Sequence, residues 1–152
     1  MQEYPEQVDC VWLAVDSLGH VAAFITAGVG PIPERVLKNE MPISEIESKL
    51  LELPVVTQAD LVAKIPSPES FIALAERGLF VFDWQNAHRG RSEVKPGYDL
   101  VAVPVRPIKI TEIPTNLANI AVNGDLKKHI FAQDNLLDVG STLPCLCSSE
   151  GF

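Results

Sequence analysis

Several groups of side chains in this chain are of types that can do chemistry. Asp16 and His20 flank the turn-like segment Asp16-Ser17-Leu18-Gly19, a spacing that would let a carboxylate orient an imidazole base. Asp83, Trp84 and His88 fall where an apolar run gives way to a polar one. That polar run, residues 85–97, also carries Arg89, Arg91 and Lys95, the one basic cluster of the chain. Cys145-x-Cys147 offers two thiols to a metal or a disulfide, and Gly28-Val29-Gly30 has the look of a phosphate loop. Glu40, Glu45, Glu47 and Glu52 form an acidic cluster that would suit a cationic partner.

Each of these groups also has a structural explanation. Asp opens turns and His tolerates strand ends, and no Ser or Cys nucleophile is tied to Asp16 and His20 by a recognisable motif. A zinc site needs four ligands at workable spacing, and nothing near Cys145 and Cys147 completes one, so no metal or cofactor is expected. The Gly-Val-Gly run has neither the dinucleotide-binding spacing nor the Lys-Ser/Thr of a nucleotide loop, and chain reversal before Pro31 accounts for it. On a helix the glutamates would be a solvated face that complements the N-terminal dipole. The acidic helix from Ser44 and the loop after Trp84 are the two candidate binding surfaces, the loop because loops on rigid strand ends commonly carry function and because Trp84 and Tyr98, which flank it, are of types favoured at interfaces. The expected partner-binding residues are therefore Glu40, Glu45, Glu47, Trp84, His88, Arg89 and Arg91, with no catalytic residue.

The elements that must position these groups are legible from pattern. Residues 11–15 and 20–27 are rich in β-branched and aromatic side chains, apolar at most positions, and joined by a short loop with Gly19 at a left-handed position. They read as central strands covered on both faces. Ser44-x-x-Glu47, with Ile43 before it, has the form of a capping box and opens a helix that Pro54 ends. Residues 57–64 read as a short helix with Thr57 and Asp60 as a cap pair, and Ser67-Pro68 opens another that stops at Gly78. Residues 79–84 and 98–105 are strands, 108–113 is extended, and 115–122 is a helix that stops at Asn123-Gly124. Residues 129–132 and 136–139 form a hairpin at a sheet edge. Strands in sequential pairs with helices grouped between them predict an α+β fold. Its sheet would be mostly antiparallel, built from sequential hairpins, with helices packed on one face.

Composition narrows the class. A chain of 152 residues that is 47% hydrophobic and 21% charged suits one globular domain, residues 1–152, with 1–9 and 141–152 peripheral. Net charge is −8, distributed as −7 over residues 1–60, +2 over 61–110 and −3 over 111–152. An acidic first third disfavours nucleic acid and anionic membranes as partners and suits a basic protein. The first ten residues lack a basic stretch followed by an apolar one, and the three cysteines leave one unpaired. Both point to a reduced, cytoplasmic protein, monomer or homodimer.

From Trp12 to Pro33, W-L-A-V-D-S-L-G-H-V-A-A-F-I-T-A-G-V-G-P-I-P, the chain resembles bacterial immunity proteins encoded beside polymorphic toxins. G-L-F-V-F-D-W (Gly78 to Trp84) and Y-D-L-V-A-V-P (Tyr98 to Pro104) echo the same pattern. The resemblance implies a stoichiometric inhibitor. It would bind a cognate type VI or contact-dependent effector, such as a basic nuclease, and occlude its active site or substrate entrance. A small enzyme using Asp16, His20, Asp83 or His88 is the alternative of another class, and it requires those residues to share one pocket. A ligand-binding or adaptor domain with residues 85–97 as its mouth is a third.

Overall fold

The computed structural model describes residues 1–62, 64–84 and 97–148. Its first hairpin follows the sequence closely. Strand β1 (Val11–Asp16) pairs antiparallel with β2 (Val21–Ile25), in register from Val11↔Ile25 to Val15↔Val21. Every residue of both strands is buried, as their two-faced apolar pattern requires. Gly19 closes the loop at φ 79°, a conformation that costs glycine nothing.

The expectation of a mostly antiparallel sheet of sequential hairpins is overturned. The sheet is mixed and seven-stranded, in the order β4-β6-β5-β2-β1-β7, with β8 also pairing with β6. Here β4 is Ala59–Leu61, β5 is Phe80–Asp83, β6 is Tyr98–Pro104, β7 is Asp125–Leu126 and β8 is Leu136–Leu137. Strand β5 lies parallel to β2 (Ala22↔Phe80 to Ile25↔Asp83), and β7 lies parallel to β1. The helices grouped between β2 and β5 are the cause. They form a crossover that returns the chain to the starting end of the sheet, so β5 adds alongside β2 in the same direction. The helix before β7 does the same beside β1. Only β5–β6, β4–β6 and β6–β8 continue the antiparallel pattern. A small separate ladder joins β3 (Ile32–Pro33) to β9 (Cys145–Leu146).

The helices are short: α1 (Glu34–Leu37), α2 (Ile46–Leu50), α3 (Glu69–Ala75) and α4 (Thr115–Asn123). The capping box at Ser44 does not form. A 3₁₀ turn begins at Ile43, directly after Pro42, and the Ile43 N–H donates to Gln2 Oε1 at 2.8 Å, so Gln2 provides the cap from 41 residues away. Gln2 also donates from Nε2 to the carbonyls of Asn39 and Met41, each at 2.9 Å. The expected helix over residues 57–64 is instead edge strand β4. Thr57 Oγ1 accepts the Arg106 N–H at 2.9 Å and so fastens β4 beside the end of β6. Residues 129–132 and 136–139 form no hairpin, because β8 is taken up by β6. Helix α3 ends at Ala75 and the turn after it runs to Gly78 (φ 90°), whereas α4 ends at Asn123 with Gly124 as its C-cap.

An aromatic layer on one face of the sheet anchors the core. Trp12, Phe24 and Phe82 stand opposite one another on β1, β2 and β5, and their rings stack at 4.4 Å and 4.8 Å. Phe131 closes edge-to-face on Phe24 and Phe82. Tyr98 donates its hydroxyl proton to the Pro31 carbonyl at 2.8 Å and accepts the Trp12 Nε1–H at 3.2 Å. No described helix is long and apolar enough to cross a membrane.

Candidate functional site

The strand alternation that builds the aromatic layer places Val11, Ile25 and Asp83 on the opposite face, in one row across β1, β2 and β5. The row continues to Asp99 on β6, the cross-strand partner of Asp83. Above it, Glu47 from α2 and Ser70 and Phe71 from α3, together with Ile65, Pro66 and Ser67, enclose a cleft of about 380 Å³. Asp9, from the segment leading into β1, completes the rim. Its Oδ1 accepts the Ala27 N–H at 2.9 Å. Ser67 sits between two prolines at φ 53°, a left-handed conformation that is strained for a residue with a side chain.

Asp83 is the singular group of this cleft. It is fully buried, and neither carboxylate oxygen has a hydrogen-bond partner. Burial pushes its carboxyl up to about 7, and the negative charges of Asp9 and Asp99 add to the effect. The Trp84 N–H opposes this weakly, since its proton is committed to the Ile25 carbonyl at 3.0 Å. Burial also raises Asp9 and Glu47, and the charge of Asp9 pushes Glu47 further in the same direction. The described residues lining the cleft include three carboxylates and no cation. They do not converge as metal ligands do: no three His, Cys, Asp or Glu side chains among the described residues are grouped to hold an ion.

A second, more open cleft of about 600 Å³ lies between the chain before α2 and helix α4. It is lined by Asn39, Glu40, Met41, Glu45, Asn116, Asn119 and Ile120. The expected acidic patch is therefore divided. Glu40 and Glu45 face this cleft, and Glu47 faces the first. Lys49 Nζ lies 3.5 Å from Glu52 Oε2, the fourth glutamate of the sequence cluster.

The other expected residues are dispersed. Asp16 is a turn former: its Oδ1 accepts the N–H groups of Leu18 and His20, and its Oδ2 accepts that of Phe131 at 2.9 Å. His20 lies against the Phe80 ring. Both are at the Val15↔Val21 end of the hairpin, whereas Asp83 is at the Val11↔Ile25 end. Four residues of strand, roughly 13 Å, separate the two ends, so Asp16, His20 and Asp83 do not share a pocket. Trp84 is a core residue, 6% exposed, edge-to-face with Tyr98. His88, Arg89 and Arg91 lie outside the described residues. Cys145 and Cys147 are free thiols beside the β3–β9 ladder, and burial pushes the Cys145 thiol up to about 12.

Sequence reasoning missed Asp9, Ser67, Ser70 and Phe71 as neighbours of Asp83, because they come from two segments distant from it in the chain. One signal was present: an Asp closing the apolar run Leu-Phe-Val-Phe is a charge placed where burial is expected. A further cluster was not anticipated. His129 Nδ1 lies 3.5 Å from Asp134 Oδ2, and its Nε2 lies 3.4 Å from Thr142 Oγ1. These contacts are long, and Asp134 Oδ2 is already engaged by the Ile130 N–H. Comparison with protein-family models, curated proteins and solved structures found no match to this chain.

Proposed function

We propose that this protein is a stoichiometric binding protein that neutralises a basic partner, in the manner of the immunity proteins its strand sequences resemble. The observation that carries the reading is the distribution of carboxylates. Asp9, Glu47 and Asp83 line one cleft, Glu40 and Glu45 the next, and no described lining residue of either is cationic. Acidic walls around two concavities raise the local concentration of a cationic protein and orient its approach. A net charge of −8 acts in the same direction at longer range. The partner would be a cationic effector such as a nuclease, met in the cytoplasm and blocked at its active site or substrate entrance.

The reading is tested by co-expressing the chain with the product of the adjacent gene and scoring survival and co-purification. Protection with a one-to-one complex is expected; neither protection nor a complex would reject it. Reversing Glu40, Glu45 and Glu47 to Lys is expected to slow association by at least tenfold at low salt, with a smaller effect at high salt. An unchanged association rate would remove the acidic clefts from the interface.

A further inference from the structure

An acidic surface alone would account for attraction to a basic protein, but it would not account for Asp83. A carboxylate on a solvated surface is hydrated at no cost, whereas one buried without a partner is unfavourable and persists where something else favours it. Asp83 ends β5 beneath the cleft floor. Both its oxygens are without hydrogen bonds, and Asp99 stands directly across the ladder as a like charge. Like charges opposed across a ladder are destabilising. Asp9 and Glu47 bring two more carboxylates to the rim, so the described surroundings worsen the position of Asp83. The walls beside it are apolar, formed by Val11, Ile25, Ile65 and Phe71. Ser67 and Ser70 are the hydroxyl-bearing residues of the lining.

We infer that this cleft is a receptor for a single alkyl-borne cation, an ammonium or guanidinium head on an aliphatic stem, with Asp83 as its anchor. The head supplies the hydrogen-bond donors and the positive charge that both oxygens of Asp83 lack. The stem lies against Val11, Ile25 and Phe71. Asp9 and Glu47 hold the ligand's charge from the rim. Contact with Asp83 requires a side chain of the wall to turn aside, because its oxygens lie below the solvent-reached surface. A lysine or arginine side chain of a protein and a free organic amine share this chemistry. The inference deepens the partner-binding reading by specifying the group the first cleft takes, but it is tested on the isolated chain, so either can fail without the other.

The test is a titration of the full-length, isotope-labelled protein with n-butylammonium, followed by amide shifts, with n-butanol as the neutral control. A second arm uses an acetylated peptide bearing one lysine. At pH 8, saturable shifts centred on Asp83, Ser70 and Phe71 are expected with n-butylammonium and not with n-butanol. D83N is expected to weaken binding at least tenfold, while charge reversal at Glu40 and Glu45 changes it less than twofold. If D83N does not fold, the pH dependence of the wild type decides. With Asp83 titrating at about 7, affinity should fall about tenfold between pH 8 and pH 6. Asp9 and Glu47, whose carboxyls burial also raises, face the cleft, lose charge in the same direction and steepen the fall, and Asp99 is the charged group across the ladder from Asp83. Binding of the peptide as well as n-butylammonium assigns the site to a protein side chain; binding of n-butylammonium alone assigns it to a free amine. No saturable binding at pH 8, equal binding of n-butanol, or equal affinity at pH 6 and pH 8 would overturn the inference.

Discussion

Two buried polar side chains illustrate opposite ways of living in this core. Tyr98 is satisfied: its hydroxyl bridges the Trp12 indole and the Pro31 carbonyl. Tyr98→Phe leaves a buried donor and a buried acceptor unpaired, and should cost about 1–3 kcal/mol in chemical denaturation. Asp83 is unsatisfied, and its removal should have the reverse effect. Its folded-state carboxyl titrates at about 7 against 3.8 unfolded, so the folded protein holds a proton there that the unfolded chain releases. The resulting penalty is absent below about pH 4, grows as pH rises to 7, and is complete above it, on the order of 4 kcal/mol. Asp83→Asn removes the charge but keeps a buried amide, so it should stabilise the protein at pH 8 by roughly 1–3 kcal/mol and flatten stability against pH. Destabilisation of Asp83→Asn at pH 8 would mean that the carboxylate has a partner. A residue whose loss stabilises the fold is typical of a site kept for function.

At the scale of elements, the turn after α3 controls the crossover that places β5, and with it Asp83. Gly78 has φ 90°, and a Cβ there would run into the Ile108 side chain. Gly78→Ala should therefore cost about 2 kcal/mol or more, from backbone strain and the steric clash together, measured as a lowered denaturation midpoint. This stop was legible in the sequence, as were the β1–β2 hairpin, β5, β6 and α4, because glycine placement and apolar runs act locally. The neighbours of β5 were not legible. Phe-Val-Phe-Asp states that the strand is buried, and it states nothing about whether the strand joins β2 parallel or pairs only with β6. Ser44-x-x-Glu47 is a sound cap pattern that lost to Pro42 and to Gln2, whose side chain arrives from a distant segment. Thr57 likewise caps nothing, because its hydroxyl holds Arg106 across the sheet edge. The site was half legible. Asp83 and Glu47 stood out by type, whereas Asp9, Ser70 and Phe71 joined them only through the crossover.

For the whole molecule, the parallel placement of β5 beside β2 gives the sheet two unlike ends. One carries the Asp16 turn, whose carboxylate is saturated with backbone donors. The other carries Asp83 and the carboxylates gathered above it. Charge asymmetry on this scale should appear as salt dependence: association with a cationic protein should slow as ionic strength rises from 10 to 150 mM, because the Debye length shortens from about 30 to about 8 Å. A rate independent of salt would show that the acidic clefts do not steer binding. Asp83 is a buried carboxylate with neither oxygen hydrogen-bonded, and the ¹³C titration of its side-chain carboxyl reports whether it is open to a cation. A midpoint of about 7 is expected in the free protein, moving down when n-butylammonium is present at saturating concentration. A midpoint near 3.8, or one that n-butylammonium leaves in place, would contradict it.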